Sequence, residues 1–410
     1  MSASCRSCGA PLTPFMSLGK QPVSQARYTA DAIHDGIIDD EPFYNLDVAV
    51  CPSCSLFQIM DQPSPEVMFD DDYPYYTSTS KGMAEHFGRA ADLLRHRFVP
   101  EGGRVVEIGS NDGCFLRHIA GAGVSHLGIE PASRVAEVAR AAGVRVRESF
   151  FDEHVADEVR QELGPVHLVY AANVIAHIPD VGTVGRGVAR LLDDDGVFVF
   201  EVAYLGDVLR NVSLDQIYDE HVFTFSVLAA RNVFARCGLD LIDLEPLPVH
   251  GGSMRFFLAP AGKRVAAPIV GEYLERERAA GFDDADVYER FRHACEITRN
   301  QLRGLVDDLA ARGAVVAGYG ATAKSTTLLN YCGLTARHIA FISDNTPAKI
   351  GKVSPGVHIP IVSPEEFRAR RPDYALLLAW NHRAEIEAKE HDFGARGGKW
   401  ILHVPEVQVT

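Results

Sequence analysis

At 410 residues, with 47% hydrophobic and 23% charged side chains, the chain has the balance of a soluble globular protein of two or three domains. A formal net charge of −15 argues against a broad nucleic-acid footprint. No stretch of about eighteen apolar residues marks a membrane span, and Met-Ser-Ala-Ser-Cys is no signal peptide, so a cytoplasmic protein with reduced thiols is expected.

The first element is a pair of metal hooks. Cys5-x-x-Cys8 and Cys51-x-x-Cys54 each bring two thiolates together, and two such knuckles supply the four ligands of a closed structural zinc site. A zinc ion with four thiolates has no open position, so it folds the module and takes no part in chemistry. Two disulfides or four unpaired core cysteines are the weaker alternatives. The other cysteines, Cys114, Cys237, Cys295 and Cys332, are scattered singly. The insert between the hooks is long for a zinc ribbon. The module closes near residue 80 after the aromatic stretch 73–80.

A helical pattern covers 82–97. Apolar strands at 104–108, 126–129, 168–171 and 196–202 then alternate with helices starting at 115, 134 and 184, which predicts a doubly wound, mainly parallel sheet. The span 272–311 reads as long helix broken at Gly281-Phe282-Asp283. A fresh strand at 314 runs into Gly318-Tyr319-Gly320-Ala321-Thr322, followed by strands at 338–342 and 374–379, a second Rossmann-like unit. The fold class is therefore α/β in three parts: a zinc module over 1–80, a central Rossmann-like domain over 81–262, and a helical linker with a C-terminal Rossmann-like domain over 263–410.

The turn Glu107-Ile108-Gly109-Ser110-Asn111-Asp112-Gly113 ends the first central strand, where Gly109 and Gly113 let backbone approach a ligand. Glu130, at the end of the next strand, is placed to accept both ribose hydroxyls of a nucleoside. Dinucleotide sites prefer G-x-G-x-x-G for a pyrophosphate. An acid-bearing turn suits a cofactor with a cationic amino acid, so S-adenosylmethionine is favoured over NAD. Phe150 and Phe151 can pack on adenine or simply fill core.

Several further segments occur in order: Ala171-Ala172-Asn173-Val174-Ile175-Ala176-His177-Ile178-Pro179-Asp180, Gln216-Ile217-Tyr218-Asp219-Glu220-His221, His250-Gly251-Gly252-Ser253-Met254-Arg255, Gly318-Tyr319-Gly320-Ala321-Thr322-Ala323-Lys324-Ser325 and Ala379-Trp380-Asn381-His382. With the cysteine hooks and the glycine turn, they resemble the nucleotide-sugar C-methyltransferases of antibiotic deoxysugar pathways, in particular the sugar 3-C-methyltransferases. The resemblance spans essentially the whole chain. It loosens at 73–80 and in the insert near 31–41. It implies a zinc module, a central class I methyltransferase domain, and methylation of a carbon beside the 4-keto group of a dTDP-linked sugar. It also implies that Asn111 and Asn173 join the cofactor contacts, and that Tyr73 stands at the lip between zinc module and core.

Methylating carbon beside a ketone needs a base and donors to the enolate oxygen. His221 is the leading base, with Glu220 orienting it or contacting the sugar and Tyr218 donating to the oxyanion. His177 is a second candidate for either role, and Tyr73 a third donor. In the C-terminal turn, Gly320, Thr322, Lys324 and Ser325 either cradle nucleotide phosphates or belong to a scaffold that only packs. Asp344, Asn345 and Lys349 sit on the next loop, and Arg255 is either a phosphate contact or a surface strand residue. The resemblance favours the substrate role. The rival readings are a sugar O-methyltransferase, an NAD-dependent oxidoreductase, and a non-catalytic or RNA-modifying zinc protein. A monomer is expected, with a weak dimer as the alternative.

Overall fold

The computed structural model of the chain describes residues 3–26, 28, 29, 31, 32, 41–64, 68 and 76–410. The first sheet is antiparallel: β1 (Met16–Pro22), β2 (Phe43–Val50) and β3 (Phe57–Ile59). Cys5 and Cys8 precede β1, and Cys51 and Cys54 occupy the turn between β2 and β3. Each hook closes a tight turn, with Gly9 N–H on the Cys5 carbonyl and Ser55 N–H on the Cys51 carbonyl, both at 2.9 Å. The four sulfurs lie within 4.8 Å of one another. Cys5 and Cys54 Sγ are 3.6 Å apart, and Cys8 and Cys51 Sγ 3.4 Å. A tetrahedral zinc with Zn–S near 2.3 Å holds its sulfurs about 3.8 Å apart, so the cluster fits that ion with little adjustment. The amide N–H groups of Ser7 and Ser53 point at Cys5 and Cys51 Sγ, the donors a thiolate-bound metal site requires.

The central sheet begins after the helix Lys81–Phe98, whose N-cap Ser80 accepts Met83 N–H. Its strands are β4 (Arg104–Ile108), β5 (Ser125–Ile129), β6 (Val146–Arg147), β7 (Val166–Ala172) and β8 (Leu192–Ala203), all parallel. The buried runs 105–108, 127–129, 168–171 and 197–200 are nearly all apolar, the pattern of parallel strands covered on both faces. The next strand, β9 (Phe223–Thr224), leaves this sheet and pairs with β3 of the zinc module. The hairpin β10 (Leu239–Leu247) and β11 (Ser253–Pro260) returns, with β11 antiparallel to β8. The order is β10-β11-β8-β7-β4-β5-β6. It reverses direction at β4, between β5 and β7, where ligands bind at the carboxyl ends of strands.

The expected break near 281 is present: helix Pro268–Ala279 gives way to helix Ala285–Ala311, capped by Asp284. The third sheet has β12 (Val316–Tyr319), β13 (Ile342–Ser343), β14 (Ile361–Val362), β15 (Tyr374–Leu377), β16 (Lys399–Leu402) and β17 (Gln408–Val409). Its order is β14-β13-β12-β15-β16-β17. The strand expected at 338–342 shrinks to β13 because His338 Nδ1 accepts Thr335 N–H at 3.0 Å and its own N–H bonds the Thr335 carbonyl, making a turn. The insert between the hooks reaches this last domain. Thr326 Oγ1 donates to the Ser24 carbonyl, Val353 N–H to the Tyr28 carbonyl, and Glu41 pairs with His358. Among the described residues, no helix is long and apolar enough to cross a membrane.

Replacing any one of Cys5, Cys8, Cys51 or Cys54 with Ser should lower zinc content and soluble yield together, because metal binding supplies folding free energy. Elemental analysis finding active, zinc-free protein would remove the ion from the fold.

Candidate active site

The cofactor cleft is built where β4 ends. Gly109 takes φ +67°, and a Cβ there would lie 2.7 Å from the Val174 side chain, so the turn packs tightly on the segment after β7. Glu130, just past β5, accepts Asn111 N–H at 2.9 Å and Ala132 N–H at 3.0 Å, one on each carboxylate oxygen. Burial raises its pKa, and those two N–H groups oppose the rise. Glu107, buried at the end of β4, is raised well above the usual range by burial, then by Glu130 and Asp112. The short turn Thr77–Thr79 lies over the glycine loop: Thr77 N–H bonds Asn111 Oδ1 and Ser78 N–H bonds Asp112 Oδ2, both at 2.9 Å. Glu107 Oε2, Ser110 Oγ and Asp112 Oδ1 are buried without a hydrogen-bond partner. Three crowded carboxyl groups and buried polar atoms suit a ligand with a sulfonium, an ammonium and ribose hydroxyls, which is S-adenosylmethionine. Phe150 is 47% exposed beyond β6, while Phe151 is core. Tyr73 lies outside the described residues.

Next to this cleft stands a cluster of neutral imidazoles. His221 Nδ1 is 2.8 Å from the Gln216 carbonyl. A carbonyl only accepts, so Nδ1 carries the hydrogen and the lone pair is on Nε2, to which Tyr218 Oη donates at 3.1 Å. His177 ends the 3₁₀ turn Ile175–His177, its ring 5.3 Å from that of His221. Burial, with His177 adding, pushes His221 down to about 3, and burial pushes His177 down to about 4. Both are therefore uncharged at neutral pH. His250 Nε2 stands 3.5 Å from Asn173 Nδ2, and its carbonyl accepts Gln216 Nε2 at 2.8 Å. Asn173 takes φ +54°, a strained conformation typical of functional turns.

The expectation that Glu220 orients His221 is not met: the orienting group is the Gln216 carbonyl. Glu220 Oε1 instead accepts Gln25 Nε2 at 2.5 Å, from the zinc module's insert. Burial and Asp219 push the Glu220 carboxyl up to about 8. Asp219 in turn accepts Ser24 N–H at 2.9 Å. The zinc module thus forms one wall of the catalytic segment, which nothing in the local sequence signalled.

The C-terminal domain forms another wall. Lys324 Nζ donates to Asn381 Oδ1 at 3.2 Å and lies 5.5 Å from the Trp380 ring, while Trp380 Nε1 donates to Asp215 Oδ2 at 2.7 Å. Burial lowers the Lys324 pKa, with Asp215 opposing. Two assignments to the phosphate cradle need correction. The Gly320 N–H bonds the Ser343 carbonyl at 2.7 Å, and the neighbouring Ala321 N–H bonds Asp344 Oδ2, so the turn closes on itself. Arg255 is 3% exposed and lies in the central sheet, paired with Glu201 and Glu245. Glu201 also accepts Tyr170 Oη and meets His86 Nε2, each at 2.7 Å, so Arg255 neutralises a buried carboxylate. Thr322 Oγ1 caps the helix Ala323–Cys332 by accepting Ser325 N–H. Lys349 Nζ donates to the Ala321 carbonyl and is close enough to Glu220 to lower its pKa, while Asn345 is exposed.

Three family descriptions match the chain in succession: "Putative zinc binding domain" over residues 5–69, "Methyltransferase domain" over 83–244 and "C-methyltransferase C-terminal domain" over 248–405. The chain is 39% identical over 371 residues to the C-methyltransferase NovU of Streptomyces niveus, covering 90% of this chain and 88% of that protein. A ubiquinone biosynthesis O-methyltransferase of Azorhizobium caulinodans is 27% identical over 144 residues, 34% of this chain and 54% of that one. Among solved structures, a SAM-dependent methyltransferase from Anabaena variabilis aligns over 49% of this chain and 97% of its own, at 15% identity and a TM-score of 0.37.

Glu130→Ala should weaken S-adenosylmethionine binding, since each lost hydrogen bond to a charged acceptor is worth about 1.5–3 kcal/mol. Calorimetry giving wild-type affinity would show that Glu130 does not hold the ribose.

Proposed function

The chain belongs to the C-methyltransferase family with an N-terminal zinc-binding domain, and we propose that it methylates a dTDP-linked 4-keto-deoxysugar at the carbon beside the ketone, C-3 in preference to C-5. It is a SAM-dependent C-methyltransferase. The observation that supports this reading best is the neutral His221, whose Nε2 lone pair is held beside Tyr218 and His177 at the edge of the cofactor cleft.

Bound S-adenosylmethionine supplies an electrophilic methyl group. The chain's own residues prepare the nucleophile. His221 Nε2 takes the proton from the carbon next to the ketone; the C–H electron pair becomes the new C=C bond and the carbonyl π pair moves onto oxygen, giving the enolate. Tyr218 turns its O–H from His221 to that oxygen, and His177 lies within reach of the same charge. The enolate carbon would then take the methyl as its bond to the sulfonium sulfur breaks, the electron pair staying on sulfur so that S-adenosylhomocysteine leaves, and the ketone is restored. Glu220, protonated at neutral pH, donates to a sugar oxygen. A folded-state pKa near 3 makes His221 by itself a weak base. The developing enolate beside it raises that pKa during the transfer, because an adjacent negative charge favours imidazolium. Lys324 and Lys349, on the C-terminal wall, are the cations we assign to the nucleotide's phosphates, with Thr322 and the exposed Asn345 nearby in sequence.

With labelled S-adenosylmethionine and a panel of dTDP-4-keto-deoxysugars, NMR of the product should find the methyl on carbon; a methyl on oxygen would overturn the assignment. His221→Asn should bind both ligands yet lose about 10²–10⁴-fold in turnover and stop exchanging the acidic sugar proton with deuterated solvent. Exchange that survives in His221→Asn and disappears in His177→Asn would move the base to His177.

The pH profile offers a separate check. Since His221 titrates near 3, kcat/KM should hold level through neutral pH, then fall as pH rises past about 8, where Glu220 loses its proton. Glu220→Gln keeps a donor N–H and should flatten that alkaline limb; an unchanged limb would remove Glu220 from the sugar's donors.

A further inference from the structure

We propose that Asp215 and Trp380 form a clamp that positions His221, Asp215 acting through the backbone of its neighbour Gln216 and Trp380 fixing Asp215 from the C-terminal domain. The proposal rests on His221 being the base.

Asp215 is 1% exposed and sits in the 3₁₀ turn Leu214–Gln216. Its Oδ2 accepts Trp380 Nε1 at 2.7 Å, and His403 Nε2 stands 3.7 Å from the same oxygen. The next residue, Gln216, gives its carbonyl to His221 Nδ1–H and its side-chain N–H to the His250 carbonyl. Moving Asp215 therefore moves the carbonyl that selects the His221 tautomer. The other jaw is closely packed on one side. A Cβ at Gly251 would lie 2.1 Å from Trp380 Cη2, so the indole is wedged against that turn on one side and Lys324 on another.

The charge of Asp215 has a second effect. Burial would raise its carboxyl, but His403, Lys324 and Trp380 outweigh burial and hold it below the usual range. An ionised carboxylate next to the Gln216 carbonyl favours the imidazolium that forms when His221 takes the proton, and Asp215 raises the His221 pKa. A strut that only joined two domains would affect stability and leave the tautomer alone.

The test compares Asp215→Asn and Trp380→Phe with wild type, using a dTDP-4-keto-deoxysugar that the wild-type protein turns over. Asp215→Asn keeps an acceptor for the indole and removes the charge; Trp380→Phe keeps a ring and removes the donor. S-adenosylmethionine affinity by calorimetry reports on the integrity of the fold. Both variants should lose about 10–100-fold in kcat, the usual scale for a group that orients another, with little change in sugar KM or cofactor affinity. The ¹⁵N signals of the His221 imidazole should shift from a single Nδ1–H tautomer towards a mixture. Unchanged kcat, a loss confined to KM, or a kcat loss with unchanged imidazole signals would overturn the clamp. If one variant does not fold, the other decides by the same readings. If His221→Asn itself keeps full turnover, the base assignment fails; if it loses turnover while Asp215→Asn and Trp380→Phe keep theirs, only the clamp fails.

Discussion

A carboxylate taken out of water must be paired, and the loop from Asp215 to Glu220 buries three carboxyl groups at once. Leaving such a group without a hydrogen-bond partner costs about 1–3 kcal/mol, and more where it is charged, so the loop holds its shape only if surrounding structure answers each one. The answers come from outside the central sheet. Asp215 is met by Trp380 of the C-terminal domain, with His403 3.7 Å away, Asp219 by Ser24 N–H, and Glu220 by Gln25. The three-part architecture follows from this: neither flanking domain need touch the cofactor to be indispensable to the geometry of His221. Asp219 and Glu220 also repel each other, which keeps one proton on the pair near neutral pH and turns Glu220 into a donor.

Much of this was legible along the chain. The cysteine spacing, the strand-turn pattern around Gly109, the break near Gly281 and the Tyr218-to-His221 cluster are all local signals, and local patterns predict local structure. The pairings that finish the site are different in kind. Gln25 and Glu220 are 195 residues apart, and Asp215 and Trp380 are 165 apart. No periodicity links such positions. Arg255 was misleading for a related reason: an arginine on an alternating strand looks the same in sequence whether it faces solvent or a buried glutamate. The glycine turn at Gly320 shares its composition with phosphate-binding loops, yet Ser343 and Asp344 take its first amides.

The cysteine cluster reaches the proposed site through the run of the chain. Its sulfurs fix the ends of β2 and β3 and anchor the chain leading into β1, and the insert between the hooks runs from β1 past Ser24 and Gln25 to the C-terminal domain. A zinc ion in that cluster would thereby help to set where Gln25, and so Glu220, can be.

The pairing of β9 with β3 bears on how the protein is made. The cysteine module leaves the ribosome ahead of the central domain, but its sheet lacks its fourth strand until Phe223 and Thr224 have been synthesised. At about 5–20 residues per second, that gap lasts on the order of ten seconds or more. The Ser24 carbonyl waits longer still for Thr326, 302 residues downstream. The nascent chain must therefore carry an exposed β3 edge, a surface that pairs readily with other strands, until β9 has been made. Early zinc capture shortens the list of shapes the module can adopt in that interval, and the active site closes only when the last domain emerges.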